Sequence, residues 1–190
     1  MKKILILILG SICIGCSSTK DITATPAQIE ALNEMIRIKE FQIESRWAYP
    51  LVTNSLSSVA NSGLLPPGSS VNNIDLVGDS NYFKMIGDSI SMYLPYFGER
   101  RVSGNYNSTD TAIKYNNKPD QIEVKRNDRN QTYEMRFKAK SKNDTYDVFV
   151  KLFPNLTAMI FINSIYRTTI SYKGEVSKLS LETKDAITDN

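Results

Sequence analysis

The sequence predicts a mainly β domain: an antiparallel β meander forming a sandwich or barrel-like sheet, with one N-terminal amphipathic helix. Three observations carry this. Period-2 alternation of apolar and polar residues recurs between positions 81 and 172. Short turn sequences separate the alternating runs. A helical period stands out once, before the first strand.

The chain opens with a leader. Lys2 and Lys3 precede an apolar run over residues 4–14, then Gly15 and Cys16. The run suits a secretory signal and falls short of the roughly 20 apolar residues of a membrane-spanning helix. A small residue directly before cysteine is the pattern of a bacterial lipoprotein signal, so Cys16 is expected to become the lipidated first residue. Residues 1–15 form the signal peptide and residues 16–24 a polar tether. The expected location is the cell envelope, as an outer-membrane lipoprotein facing the periplasm or the cell surface.

A helix start follows. Thr25 is placed to cap, Pro26 takes the first helical position, and Gln28 completes a Thr-x-x-Gln capping box. Ile29, Leu32, Met35 and Ile36 share one face; Glu30, Asn33, Glu34 and Arg37 share the other. From Phe41 the period shifts to two: Phe41 and Ile43 face inward, Trp47 and Tyr49 continue that parity, and Pro50 ends the run. Residues 53–73 are rich in Ser, Asn, Gly and Pro and read as a long loop. Gly87-Asp88 forms a Gly-first hairpin turn between runs 81–86 and 89–94. Ile122 and Val124 mark a short strand. Tyr133, Met135, Phe137 and Ala139 face inward on the next, and Tyr146, Val148, Val150 and Leu152 on its partner. Residues 156–163 are apolar at both parities, which predicts a central strand covered on both faces. Residues 166–172 close the series before Lys173-Gly174. One domain spans 25–176, and 177–190 form a polar tail.

The composition narrows the chemistry. There is no histidine, and the two cysteines are Cys13 and Cys16. The commonest general base, the Ser-His-Asp and Cys-His constellations and His- or Cys-ligated metal sites are therefore missing. No cofactor or metal is expected. Loss of Lys2 and Lys3 lowers the formal charge from +3 to +1, which leaves no electrostatic footprint for nucleic acid. Carboxylates remain as a route to hydrolysis: Asp75, Asp79, Asp88, Glu99 and Asp110 lie in the middle of the chain, though turn-forming roles account for Asp79 and Asp88. The densest unusual segment is 93–101. Tyr93, Tyr96, Phe97, Arg100 and Arg101 form a candidate binding patch for a glycan, peptide or carboxylate. The same segment also reads as a strand-ending corner, with Tyr96 and Phe97 on the core and Gly98 supplying a positive φ. Asp110-Thr111-Ala112 resembles the acceptor of a periplasmic O-glycosylation system of Bacteroidetes, with Thr111 as the modified residue.

Several motifs carry a family resemblance. Ala48-Tyr49-Pro50, Asn81-Tyr82, Gly87-Asp88-Ser89, Tyr93-Leu94-Pro95-Tyr96-Phe97-Gly98 and the stretch from Arg167 through Ile170-Ser171-Tyr172-Lys173-Gly174 to Glu175 resemble a Bacteroidetes-type lipoprotein family, domain of unknown function 4251. The resemblance implies a secreted, lipid-anchored, β-rich domain and no particular activity. Three functions remain open: a non-enzymatic binding or assembly module with an envelope protein or glycan partner, a small-ligand or glycan carrier with a cavity in the β domain, and a carboxylate-dependent hydrolase. The membrane is the one partner the leader itself implies.

Overall fold

A computed structural model of the chain describes residues 24–101, 112–141 and 144–179. Cys16, Asp110 and Thr111 lie outside these residues. Helix α1 (Pro26–Ile38) begins as its sequence requires: Thr25 Oγ1 accepts from the Gln28 N–H at 3.3 Å, and the Thr25 N–H donates to Gln28 Oε1 at 2.9 Å. Leu32 and Met35 are its buried residues. The helix ends on Lys39 in the left-handed region (φ 57°), which turns the chain directly into β1 (Glu40–Pro50). Asn33 Oδ1 accepts from the Tyr133 hydroxyl at 2.8 Å, tying α1 to the far side of the sheet.

The remaining elements are α2 (Asn54–Asn61), β2 (Ile74–Asp75), β3 (Tyr82–Ile86), β4 (Ser89–Leu94), β5 (Ile113–Asn117), β6 (Ile122–Asn127), β7 (Thr132–Lys140), β8 (Thr145–Leu152), β9 (Thr157–Ser164) and β10 (Ile170–Ser177). They build one antiparallel sheet of order β5-β4-β3-β1-β10-β9-β8-β7-β6, with β2 paired to β1. The sheet curls into a half-barrel. Phe83 of β3 and Phe137 of β7 meet at 6.1 Å across its interior, and Phe41 stacks on Phe83 at 6.3 Å. The inward alternation expected of β7 and β8 is present residue by residue. The sheet is continuous, so it is not a two-sheet sandwich. It is a meander from β6 to β10 and from β3 to β5, but β1 inserts between β3 and β10.

Five sequence expectations need correction. Trp47 and Tyr49 do not continue the inward parity of Phe41 and Ile43: a bulge between Ser45 and Trp47 shifts the register against β10, and Ala48 turns inward instead. At the bulge Gly174 lies so close to β1 that a Cβ would fall 2.0 Å from the Glu44 carbonyl oxygen. Beside it, where β1 passes from pairing with β3 to pairing with β2, the Asn81 side chain stands in for a strand. Asn81 Oδ1 accepts from the Ser45 N–H at 2.7 Å, and Nδ2 donates to the Ser45 carbonyl at 2.9 Å.

Residues 53–73 are not a continuous loop. Thr53 Oγ1 caps α2 by accepting from the Leu56 N–H, and Leu56 is buried. Among the described residues there are thus two helices, where the sequence predicted one. The run 156–163 is fully buried on one face only: Ala158, Ile160 and Ile162 point inward, while Met159 and Phe161 are half-buried on the outside. The closing strand starts at Ile170 rather than Tyr166 and runs through Gly174 to Ser177, because Gly174 admits β1 instead of ending the ladder. Finally, Gly98 has no positive φ; what demands glycine there is crowding, as described next.

Candidate functional site

The 93–101 segment splits at Pro95. Beyond it the chain is stitched to the start of β10. Tyr96 is buried, its hydroxyl 3.0 Å from the carbonyl oxygens of Glu99 and Thr168 and 2.9 Å from Thr168 Oγ1. The Thr168 N–H donates to the Glu99 carbonyl, the Arg101 N–H to the Tyr166 carbonyl, and the Tyr172 hydroxyl to the Pro95 carbonyl. A Cβ on Gly98 would lie 2.5 Å from both Thr168 Oγ1 and the Tyr96 hydroxyl. Hydrogen bonds from Ser55 and Thr53, at the start of α2, hold the Glu99 carboxyl below its ordinary pKa. Behind Tyr96 the Arg167 guanidinium sits 4.9 Å from the ring centroid and donates to Asp144 at 3.1 Å, a pair almost wholly buried. Asp144 also accepts from the Ser164 hydroxyl at 2.6 Å and the Thr145 N–H at 2.8 Å. Burial pushes the neighbouring Tyr146 up to about 12. The crevice among Tyr96, Ile113, Tyr146, Ile162 and Arg167 has no room for a water molecule.

The five residues of the candidate patch therefore do not share a surface. Tyr96 is inside, Phe97 packs half-buried against the core, and Arg100 and Arg101 are exposed with their backbone committed to β-type contacts with 166–167. Tyr93 stands apart on the outer face of β4.

Around Tyr93 a different site appears. In β3, β4 and β5 the inward positions are filled by Phe83, Met85, Ile90, Met92, Leu94, Ile113 and Tyr115. The alternate positions must then face out. Register places Tyr82, Tyr93 and Lys114 in one cross-strand row, and Lys84, Ser91 and Asn116 in the next. The Tyr82 and Tyr93 rings stack at 6.3 Å with 30° between planes. Lys84 Nζ lies 4.5 Å from the Tyr82 ring centroid, and Lys114 Nζ 5.1 Å from that of Tyr93. An open cleft of about 550 Å³ runs along this surface to the end of β7, where Lys140 and Ser141 form its other side. Among the described residues no carboxylate lines it. Lys140 is bound to Asp120, which stands outside the lining. Of the residues lining this cleft, Tyr93 alone belonged to the candidate binding patch. The outward parity of the Gly87-Asp88 hairpin was the available signal for Tyr82 and Ser91.

The hydrolytic candidates are scattered. Asp88 sits at the hairpin turn between Lys39 and Lys118, whose hydrogen bonds hold it at about 2. Asp75 accepts from the Val77 N–H, and Asp79 precedes the Asn81 bridge. Among the described residues, each carboxylate with a shifted pKa is shifted downward, opposite to the need of a general acid at neutral pH. No group of three His, Cys, Asp or Glu among these residues is placed to hold a metal.

The family model for a domain of unknown function, DUF4251, matches residues 24–176. The chain belongs to the DUF4251 family. A crystal structure of a DUF4251 family protein from Bacteroides eggerthii superposes with a TM-score of 0.53 at 9% identity, covering 86% of this chain and 95% of that one. At such low identity the likeness extends to the fold. No protein of curated function matches the chain. Within this DUF4251 domain the family-like motif from Tyr93 to Gly98 has two parts: Tyr93 faces outward into the cleft, and Tyr96 with Gly98 anchors the end of the half-barrel.

Proposed function

We propose that this DUF4251 domain is a non-enzymatic binding module of the cell envelope, tethered by lipid at Cys16, whose ligand is a glycan chain held in the Tyr82–Tyr93 cleft. The observation that carries the reading is the pair of outward tyrosines, stacked on each other, with Lys84 and Lys114 against their rings and Ser91 and Asn116 beside them. The outer edges of the paired rings suit contact with the apolar patches of sugar rings, and the hydroxyl and amide groups around them suit sugar hydroxyls. A site carried on strands is held more firmly than one on loops. The downward-shifted carboxylates support binding over hydrolysis. The filled interior behind Tyr96 favours a surface site over a carrier cavity.

The test is titration calorimetry of the full chain against a panel of envelope and host oligosaccharides, repeated with Tyr82→Ala and Tyr93→Ala. Saturable binding that both variants weaken supports the reading; binding to no glycan, or binding indifferent to both tyrosines, overturns it. Cys16→Ala tests the tether separately: the variant should leave the membrane fraction, and unchanged partition would remove the lipid anchor.

A further inference from the structure

We propose that one end of the half-barrel is a membrane-seating surface, with Leu51, Val52, Ile165 and Tyr166 entering the outer part of a lipid bilayer and Arg100 and Arg101 at the level of its phosphates. The inference rests on the lipid anchor at Cys16 in the reading above and adds a second contact with the same membrane.

The four apolar side chains come from two separate stretches that the fold brings to one rim, where β1 ends and β9 turns into β10. Leu51 is 50% and Ile165 70% exposed, and Val52 and Tyr166 are exposed beside them. Backbone hydrogen bonds fix both stretches. The Leu51 N–H donates to the Thr169 carbonyl at 3.1 Å, and the Arg101 N–H to the Tyr166 carbonyl at 2.8 Å. Thr53, directly after Val52, is committed to capping α2. The side chains are thus held outward on a fixed backbone. Among the described residues they are four of the nine large apolar side chains left exposed, and the opposite end, with its Gly87-Asp88 and 128–131 turns, keeps only Ile38. Single exposed apolar residues are ordinary, but a gathering of them marks a contact surface.

The chemistry of the rim is that of a bilayer interface. Tyr166 offers an amphipathic ring suited to headgroup depth. Arg100 and Arg101 are exposed next to it, paired through their backbone with 166–167. The neighbouring acid, Glu99, has its carboxyl engaged by Ser55 and Thr53. Guanidiniums at this level donate to lipid phosphates. The tether is what selects a membrane as the cover. Cys16 lies eight residues before Ala24, a span of at most about 30 Å. A lipid on Cys16 keeps the rim within reach of one bilayer at all times, so even a weak apolar contact forms intramolecularly.

The experiment uses the full chain, purified from membranes and reconstituted in vesicles of phosphatidylethanolamine and phosphatidylglycerol. Lipidation of Cys16 leaves no free thiol in the mature chain, so a single introduced cysteine is labelled alone. A polarity-sensitive fluorophore is placed by Leu51→Cys, by Ile165→Cys or, at the opposite end, by Asp128→Cys. The labels at 51 and 165 should be blue-shifted and quenched by lipids carrying a nitroxide on the upper acyl chain, and the label at 128 should be neither. Val52→Asp with Tyr166→Asp should reduce the quenching at 165 to the level at 128 and leave Tm unchanged, since both residues are on the surface. Labels at 51 and 165 as wet as that at 128, in an anchored chain, overturn the seating and leave the tether standing. A blue shift without lipid quenching shows that a protein or a second copy covers the rim, and overturns the proposal. Quenching that survives the Asp substitutions belongs to the label itself and overturns it as well. An intact mass without lipid on Cys16 overturns the tether and, with it, the seating.

Discussion

Replacing Tyr96 by Phe tests whether the centre of the 93–101 segment is structural. The substitution keeps the ring and deletes a hydroxyl that lies within 3.0 Å of two backbone carbonyls and 2.9 Å from Thr168 Oγ1. One hydroxyl donates once, so the variant loses one donated bond to a carbonyl and one accepted from Thr168. At about 1 kcal/mol each, with a further share because Thr168 is itself buried, the expected cost is about 2–3 kcal/mol. For a domain of this size each kcal/mol lowers Tm by roughly 2–4 °C, so the variant should melt about 4–12 °C lower. Thermal melts followed by circular dichroism, with urea titrations to check that the m-value is unchanged, measure this. Tyr93→Phe is the control: its ring faces outward, and its stability should lie within about 0.5 kcal/mol of the parent. A Tyr96→Phe variant that melts within about 1 °C of the parent would refute the assignment, and the hydroxyl would then have to be free for a ligand.

Three further outcomes follow from single contacts. Gly174→Ala drives a Cβ to 2.0 Å from the Glu44 oxygen and 2.6 Å from Ser45 Cα, both backbone; β1 and β10 must part, and urea unfolding should show a loss of about 3 kcal/mol or more. Ser45 is buried with no partner for its hydroxyl, so Ser45→Ala should be neutral or stabilising by up to about 1 kcal/mol in the same assay. Asp88 has its folded pKa lowered from 3.8 to about 2 by Lys39 and Lys118; its contribution is therefore present above the unfolded value and lost as pH falls through the folded one. The stability gap between parent and Asp88→Asn should be constant from neutral pH to about 4, close toward pH 2, and narrow in high salt at any pH; a gap independent of pH down to 2 would show that the two lysines do not hold the carboxylate.

The elements legible in the sequence were those whose signal is local. The capping box at Thr25 and Gln28, the Gly87-Asp88 turn and the alternation of β7 and β8 each declare themselves within a few residues. What escaped depended on distant partners. The bulge at Ser45 exists because Gly174, about 130 residues later, lets the strands approach, and nothing near Trp47 announces the change of face. Helix α2 is short and rich in serine, with a single buried anchor in Leu56, so its period was masked by composition. In β5 only Ile113 and Tyr115 point inward, too brief a run to separate from loop. The site was legible only in part for the same reason. Tyr93 and Tyr96 look alike in sequence and are parted by the turn at Pro95, whereas Tyr93 and Tyr82 meet only once the hairpin pairs.

The insertion of β1 between β3 and β10 has a consequence for how the molecule comes to exist. The middle of the sheet is made from the two ends of the domain: Ile43 pairs with Val176, and Pro50 with Ile170. The β3–β4 hairpin and the β6–β9 run can form as soon as each is synthesised, but they remain separate halves with nothing between them. Joining them closes a loop of more than a hundred residues, a slow step in a chain of such high contact order. The last strand made is thus the one that turns two ribbons into a domain. A chain shortened before Ile170 would retain both ribbons and lose the strand that joins them to a common core.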